Sequence, residues 1–283
     1  MSIDSNRVSR RRLLELGALG ALSAVGIAAC GSDGSSSAAS SANASASGST
    51  TTTLPATGTT AAAAATTTDC TVIPEETGGP YPGDGSNGPD VLSESGVVRS
   101  DIRSSFGSST TMASGVPAKI QLEVVNASAG CTPMKGAAVY VWHCDGQGRY
   151  SMYSNGVTDE NFLRGVQSSD AEGLVTFESL FPGCYSGRWP HIHFEVYPGV
   201  SSATSARGKI ATSQIALPRD LCNSVYDANA SLYPGSAANL SQVSLDTDNV
   251  FGDDGAVHEM AAVTGDASSG YTLTLRVPVL VTA

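Results

Sequence analysis

The chain beyond residue 69 shows a repeated alternation of apolar and polar positions. Glycine, asparagine, aspartate and proline separate the alternating stretches, as is usual between β-strands. The pattern predicts an all-β domain over residues 69–283, an antiparallel β-sandwich with long loops. No stretch keeps a helical period over three turns, so residues 162–167 and 217–222 are expected to form short turns at most. The stretches with strand character are residues 118–127, 137–145, 173–181, 191–198 and 270–281.

The preceding residues, 31–68, differ sharply in composition. They are almost wholly serine, alanine, threonine and glycine. Such a segment has too few apolar side chains to offset the entropy lost on ordering. It is predicted to be a disordered linker that tethers the β domain to whatever lies before it.

The first 30 residues have the pattern of an export signal. A basic start containing Arg10 and Arg11 is followed by an apolar run that is interrupted by Glu15 and ends at Cys30. The segment resembles a twin-arginine signal joined to a lipoprotein box, which implies that Cys30 is the lipidated first residue of the mature chain. The alternative is a plain secretory signal that is cut nearby. Both readings predict an exported, extracytoplasmic protein, attached to the membrane only through Cys30 in the first case.

Charge excludes some classes of partner. The chain has 15 basic and 26 acidic residues and a formal net charge of −11. An acidic surface repels nucleic acid and anionic lipid, so neither is an expected partner.

Cysteine usage fits export. Five cysteines follow Cys30, and their spacings do not fit a zinc ribbon. If two disulfides form, one thiol stays free. The sequence does not determine the connectivity, but we favour a pair between Cys184 and Cys222. The other three are Cys70, Cys131 and Cys144.

Two of the chain's four histidines, His191 and His193, are separated by one isoleucine. Side chains alternate between the faces of a strand, so both imidazoles point the same way, with their bases roughly 6–7 Å apart. From there they can converge on one metal ion. Alternatively, they are two polar residues on a solvated sheet face.

The surrounding motifs resemble those of the intradiol ring-cleavage dioxygenases. Tyr150 follows the turn "DGQGR", Tyr185 follows "FPGC", and Arg188 lies three residues before the first histidine. "PEETGGPYP", "FLRGVQSSDAEGLVTFESLFPG" and "TSQIALP" extend the likeness from about residue 70 to residue 221. The resemblance implies a non-haem Fe³⁺ ion bound by two tyrosines and two histidines. These would be Tyr150, Tyr185, His191 and His193.

The resemblance also implies an activity. A catechol-type aromatic diol would bind Fe³⁺ through both oxygens, and O₂ would be inserted between the two hydroxylated carbons to give a muconate-type product. Phenolate is a hard anionic donor that suits ferric iron. Tyr185 would leave the metal and act as a base, whereas Tyr150 would stay bound.

Further residues receive roles from the same resemblance. Arg188 would stabilise negative charge on the attacked ring, although its position alone equally fits a surface ion pair. Gln214 is either a hydrogen-bonding partner behind the site or an ordinary polar strand residue. Pro80 and Tyr81 are expected to contact substrate at the pocket mouth. His143 is expected to be a structural hydrogen-bonding residue, and His258 a solvated loop residue.

Two other classes of protein share some of these features. A non-catalytic exported β-sandwich lipoprotein that binds a surface would keep the signal, linker and strands, but would not need the tyrosines, Arg188 and the histidine pair together. A periplasmic copper- or zinc-binding protein could use the histidines, but more usually recruits thiolates, methionine or carboxylates. A red-brown colour from tyrosinate-to-iron charge transfer would separate the dioxygenase from both.

The sequence leaves the diol and the assembly open. Catechol, hydroxyquinol, protocatechuate and larger aryl diols all remain candidates, and the acidic charge disfavours a carboxylated substrate. The chain lacks the helical N-terminal dimerisation segment of the cytoplasmic catechol enzymes, so a homodimer built that way is not expected.

Overall fold

A computed structural model describes residues 70–281, which belong to one compact unit of the chain. The expected signal (1–30), with Cys30, and the expected linker (31–68) lie outside the described residues. The α-helices are α1 Arg219–Ala228 and α2 Ser236–Leu240, and single 3-10 turns lie at Ala127–Ala129, Val200–Ser202, Ala206–Gly208 and Leu245–Thr247. Neither helix in this range is long and apolar enough to cross a bilayer. The strands are β1 Pro117–Asn126, β2 Thr132–Pro133, β3 Ala138–Trp142, β4 Arg164–Ser168, β5 Leu174–Leu180, β6 His191–Tyr197, β7 Ala211–Ala216, β8 Ala262–Asp266 and β9 Gly270–Val279.

The strands form two sheets that pack on a shared core. One sheet has the order β2-β1-β9-β8, with β5 also paired to β1, and the other has the order β4-β3-β6-β7. Alternate residues of β1 and β6 point between the sheets and are fully buried, because apolar area is removed from water there. They include Ile120, Leu122, Val124, Ile192, Phe194 and Val196.

The outer face of the second sheet is also buried. Every residue of β6 is buried, so the strand does not show the one-sided burial of an exposed sheet. The loops before β1 and between β3 and β4 cover this face with an apolar cluster. The cluster includes Val91, Leu92, Val97, Tyr140, Trp142 and Tyr150.

Strand register places four polar or aromatic side chains in a row across this covered face. Trp142 of β3 pairs with Arg164 of β4 on one side and with His193 of β6 on the other, and His193 pairs with Gln214 of β7. Cross-strand partners point to the same face of a sheet. The candidate site therefore lies on the outer face of the second sheet, beneath the covering loops.

Two predictions of secondary structure were incomplete. Mostly antiparallel pairing is confirmed, but β1 and β9 run parallel over residues 118–126 and 271–279. Residues 162 and 163 form the expected turn, but residues 164–167 belong to β4, because Arg164 and Val166 pair with β3. Residues 217–222 lead into the ten-residue helix α1, which buries Cys222, Val225 and Tyr226 on one side.

The predicted Cys184–Cys222 disulfide is wrong. Cys184, Cys222 and Cys144 are buried free thiols, and the disulfide joins Cys70 to Cys131. The thiol of Cys184 points instead at the carbonyl oxygens of Arg188 and Tyr185, at 3.5 and 3.9 Å. The disulfide ties the first described residue to the turn after β1.

The disulfide should contribute measurably to stability. Replacing both Cys70 and Cys131 with serine should lower the free energy of unfolding by about 2–4 kcal/mol, because the intervening chain regains freedom in the unfolded state. Denaturant unfolding measures the change. A reductant should destabilise the wild type to the same extent and leave the double variant unchanged. A double variant as stable as the oxidised wild type would contradict this assignment.

Candidate active site

Four potential metal-binding atoms converge at one end of β6. His191 Nε2 lies 3.1 Å from His193 Nε2, 3.2 Å from the Tyr185 hydroxyl and 3.4 Å from the Tyr150 hydroxyl. Imidazole nitrogens and oxygens bind first-row ions such as zinc at about 2.0–2.2 Å, so neighbouring ligands of one ion are roughly 3 Å apart. The separations therefore suit four atoms that share one ion. The structure brings together all four residues that the sequence nominated as ligands.

Hydrogen bonding fixes the tautomer of the first histidine. His191 Nδ1 lies within hydrogen-bond distance of the Trp189 carbonyl oxygen, so Nδ1 carries the proton and Nε2 carries a lone pair. One lone pair accepts one hydrogen bond, yet three polar groups surround it. A cation at the centre of these groups could be bound by the two imidazole nitrogens and the two hydroxyl oxygens together.

Burial sets the protonation of these groups. Burial, with the nearby Arg188 charge, lowers the pKa of His191 to about 3, and burial together with His191 lowers that of His193 well below its usual value. Both imidazoles are therefore neutral and able to bind a metal. Burial also raises the pKa of Tyr185 to about 12 and that of Tyr150 well above 10. A cation is needed to hold either oxygen as phenolate at neutral pH.

Local turns place the two tyrosines. Asp145 accepts hydrogen bonds from the backbone amides of Gln147 and Arg149 and pairs with the Arg149 side chain, so the turn before Tyr150 is fixed. Gly148 has a φ of 77° and packs against Tyr185, where a Cβ would come within 3.1 Å of the Tyr185 Cβ. Tyr150 is fully buried, whereas Tyr185 is half-buried.

Aromatic packing holds the second histidine. The rings of His193 and Trp142 stack with centroids 4.8 Å apart and planes 4° apart. Gly79 lies on the ring edge, where an added Cβ would be 3.4 Å from His193 Cε1. Nδ1 of His193 has no protein hydrogen-bond partner among residues 70–281, so packing rather than hydrogen bonding orients this ring.

Arg188 lies beside the site in a network of polar contacts. Its Nε donates to Asp248 Oδ2 at 2.9 Å, and one terminal nitrogen donates to Gln214 Oε1 at 2.7 Å. Gln214 in turn donates to the Thr77 carbonyl oxygen at 2.9 Å. The sequence left Gln214 open between two readings, and its contacts favour the hydrogen-bonding partner.

The two expected substrate contacts are placed differently. Tyr81 packs on Tyr150, with ring centroids 4.8 Å apart. Its half-buried ring therefore borders the donor cluster. Pro80 is exposed, and its carbonyl oxygen accepts a hydrogen bond from Asn87. Of the two, Tyr81 is the better placed to contact a ligand.

The other histidines do not join the cluster. His143 is buried between the Ser179 hydroxyl and the Cys144 carbonyl oxygen, at 2.7 and 2.8 Å, in accord with the structural role expected of it. His258 is half-buried. Within the described part of the chain, no group of three or more histidine, cysteine, aspartate or glutamate side chains is arranged to hold a metal ion.

Sequence reasoning missed several residues that shape the site. Asp248 holds Arg188, Trp142 stacks on His193, and Phe251 packs on His191 with ring centroids 6.4 Å apart. Arg164 is buried and donates to the carbonyl oxygens of Tyr81 and Ser151. Each acts through a contact between distant parts of the chain, for which the sequence carries no local signal.

Comparisons with known proteins agree with this site. A family model described as Dioxygenase matches residues 88–202, a span that contains both tyrosines, Arg188 and both histidines. The solved intradiol ring-cleavage dioxygenase from Tetranychus urticae is 25% identical, with a TM-score of 0.56 and coverage of 75% of this chain and 95% of that chain. Over this span the chain is similar to the intradiol ring-cleavage dioxygenases. The family resemblance that the sequence motifs indicated is thus confirmed.

A curated relative is similar over a shorter stretch. A chlorocatechol 1,2-dioxygenase from Rhodococcus opacus is 37% identical over 54 residues, which are 19% of this chain. The alignment spans 21% of that enzyme's length. Gln214 and Asp248 lie outside the residues that the family model matches.

The donor set can be tested by metal content. In the chain from residue 69 onward, His193→Ala should lower iron affinity by more than the roughly 10–100-fold typical of losing a hydrogen-bond partner behind a metal ligand, because a ligand itself is lost. Iron per chain and the visible absorption band measure the effect. His143→Ala removes a buried histidine outside the cluster and should keep both. Full iron and an unchanged spectrum in His193→Ala would show that the donor set is wrong.

Proposed function

We propose that this protein is a non-haem Fe³⁺ dioxygenase that cleaves a catechol-type diol between its two hydroxylated carbons and yields a muconate-type product. The observation that carries the proposal is the convergence of two neutral imidazoles and two phenols around one point. Two phenolates offset two of the three charges of ferric iron, and hard anionic oxygen favours the oxidised ion. Similarity to the intradiol dioxygenase family, which uses non-haem iron, supports the same metal.

The metal and the residues divide the work. Ferric iron, when bound, would supply a Lewis acid that the diol can chelate through both oxygens and that would make the ring reactive towards O₂. The Tyr185 oxygen takes a proton from a catechol hydroxyl, since its half-buried side chain borders the space that a diol would enter. Tyr150, fully buried and packed against Tyr81, stays in place.

Arg188 and Tyr81 serve the substrate. The Arg188 guanidinium places a fixed positive charge beside the donor cluster, where it stabilises negative charge that develops on the ring. Gln214 keeps that charge in position through its hydrogen bond. The Tyr81 ring, packed on Tyr150, offers an aromatic wall against which the flat diol lies.

An oxygen-electrode assay of the iron-loaded protein against a panel of diols tests the function. O₂ uptake with at least one diol, equal in amount to the muconate-type product formed, is expected. A panel containing catechol, hydroxyquinol, protocatechuate and larger aryl diols also identifies the substrate, with protocatechuate expected to be poor because the chain is acidic. A folded, iron-loaded protein that consumes no O₂ with any diol would contradict the proposal.

The two tyrosines should differ in their effects. Tyr185→Phe should keep part of its iron but lose turnover, because the proton acceptor for the second catechol hydroxyl is gone. Tyr150→Phe should release iron more readily and lose the charge-transfer band that persists in the substrate complex. Iron titration and anaerobic spectra with catechol measure both. Equal iron loss and equal spectra in the two variants would contradict distinct roles.

We also propose that the protein is exported and anchored by a lipid at Cys30. The support is the twin-arginine-like and lipoprotein-like pattern of residues 1–30, followed by a serine- and alanine-rich linker. Cys30→Ala should move the protein from the membrane fraction to the soluble fraction with its activity unchanged, since the linker separates anchor and site. Ser32→Ala, two residues away, should leave the protein in the membrane fraction. Retention of Cys30→Ala in the membrane would indicate an uncleaved apolar segment instead.

A further inference from the structure

Arg188 is held by two side chains. Asp248 binds its Nε and Gln214 binds one terminal nitrogen. Among the described residues, these are the two side-chain hydrogen bonds of Arg188. The Arg188 side chain is 13% exposed, whereas that of Asp248 is fully buried. The ion pair therefore anchors the guanidinium on its buried side.

Every hydrogen bond of the Asp248 carboxylate is local to the site. Oδ2 accepts from Arg188 Nε at 2.9 Å and from the Trp189 amide at 2.7 Å. Oδ1 accepts from the amides of Val250 and Phe251, at 2.9 and 3.1 Å. A carboxylate that accepts four such bonds uses all of its lone pairs, so its position is fixed. It links the chain just before β6 to the segment that follows the 3-10 turn Leu245–Thr247.

The same contacts reach the first candidate ligand indirectly. Asp248 accepts from the amide of Trp189, and the carbonyl oxygen of the same residue accepts from His191 Nδ1, so the two contacts are one residue apart along the backbone. The Phe251 ring, whose backbone amide binds Asp248, lies 5.9 Å from the Arg188 guanidinium carbon and 6.4 Å from the His191 ring centroid. Asp248 thus sets a cation and an aromatic ring on one side of the donor cluster.

We propose that Asp248 is a positioning residue. It holds the guanidinium of Arg188 and the Phe251 ring in place beside the space that the substrate would occupy. The inference rests on the proposed function, because it assigns to Arg188 a charge that acts on the substrate. Asp248 lies outside the residues that the family model matches, so the role is read from this chain's own contacts. A displacement of about 1 Å in such a group can cost on the order of 100-fold in rate.

The test is a double-mutant cycle on the iron-loaded protein. Asp248→Asn keeps the size of the side chain and, at Oδ1, an acceptor for the Val250 and Phe251 amides, but it removes the charge and the acceptor that bind Arg188 and the Trp189 amide. It should lower kcat by about 10–100-fold with a smaller change in KM, while iron content and the absorption band stay at wild-type levels. In an Arg188→Ala background, the same substitution should change kcat by less than about 2-fold, since residues that act through one another are not additive.

A matched control separates positioning from general stability. Glu195 of β6 is another fully buried carboxylate. It pairs with Lys209 at 2.7 Å and has no hydrogen bond to Arg188 among the described residues. The effect of Glu195→Gln on kcat should be the same with and without Arg188→Ala, so that the two effects multiply. Equal effects of Asp248→Asn in both backgrounds, or loss of iron in Asp248→Asn, would overturn the proposal in favour of a structural role.

A second substitution at the same position, Asp248→Glu, covers the case in which Asp248→Asn does not fold. If Asp248→Asn does not fold, Asp248→Glu keeps the charge but shifts it by one methylene, and the same masking by Arg188→Ala is expected. An Asp248→Glu variant with wild-type kcat would overturn the proposal. An inactive wild type with full iron would instead count against the proposed function, so the two failures are distinguishable.

Discussion

The arrangement of the site depends on one buried lone pair, that of His191 Nε2. The ring proton of His191 is held on Nδ1 by the Trp189 carbonyl oxygen. Two phenols and a second imidazole approach Nε2. In a dry environment, polar atoms crowded around one acceptor are unfavourable unless a partner satisfies them all. A metal ion is such a partner, and the family that the chain resembles uses one. The surrounding loops, turns and stacked rings hold this cluster together.

The fold explains how such a cluster can be buried on the outside of a sheet. In a two-layer sandwich the inner faces form the core, and an outer face is normally solvated. Here the loops before β1 and after β3 cover the outer face of the second sheet with apolar residues. Arg164 ties these loops together by donating to the carbonyl oxygens of Tyr81, Pro82 and Ser151. The cover therefore depends on a buried arginine that carries none of the chemistry.

What the sequence predicted correctly was local in origin. The one-residue gap between the histidines places both on one face of a strand, and the motifs around Tyr150, Tyr185 and Arg188 nominated the residues that converge. The parallel pairing of β1 with β9, the Cys70–Cys131 disulfide and the contact between Asp248 and Arg188 escaped prediction. Each joins residues about 60 or more positions apart. Alternating hydrophobicity specifies which face is buried, but not which strand or side chain lies opposite.

The central claim is that these four side chains bind one ferric ion, and anomalous diffraction at the iron absorption edge tests it most directly. Crystals of the iron-loaded protein should show one strong peak between β6 and the turns that carry the tyrosines. We expect the peak at about 2.0–2.2 Å from His191 Nε2, His193 Nε2 and both tyrosine oxygens. A peak elsewhere, or no peak at this site in crystals that contain stoichiometric iron, would contradict the account.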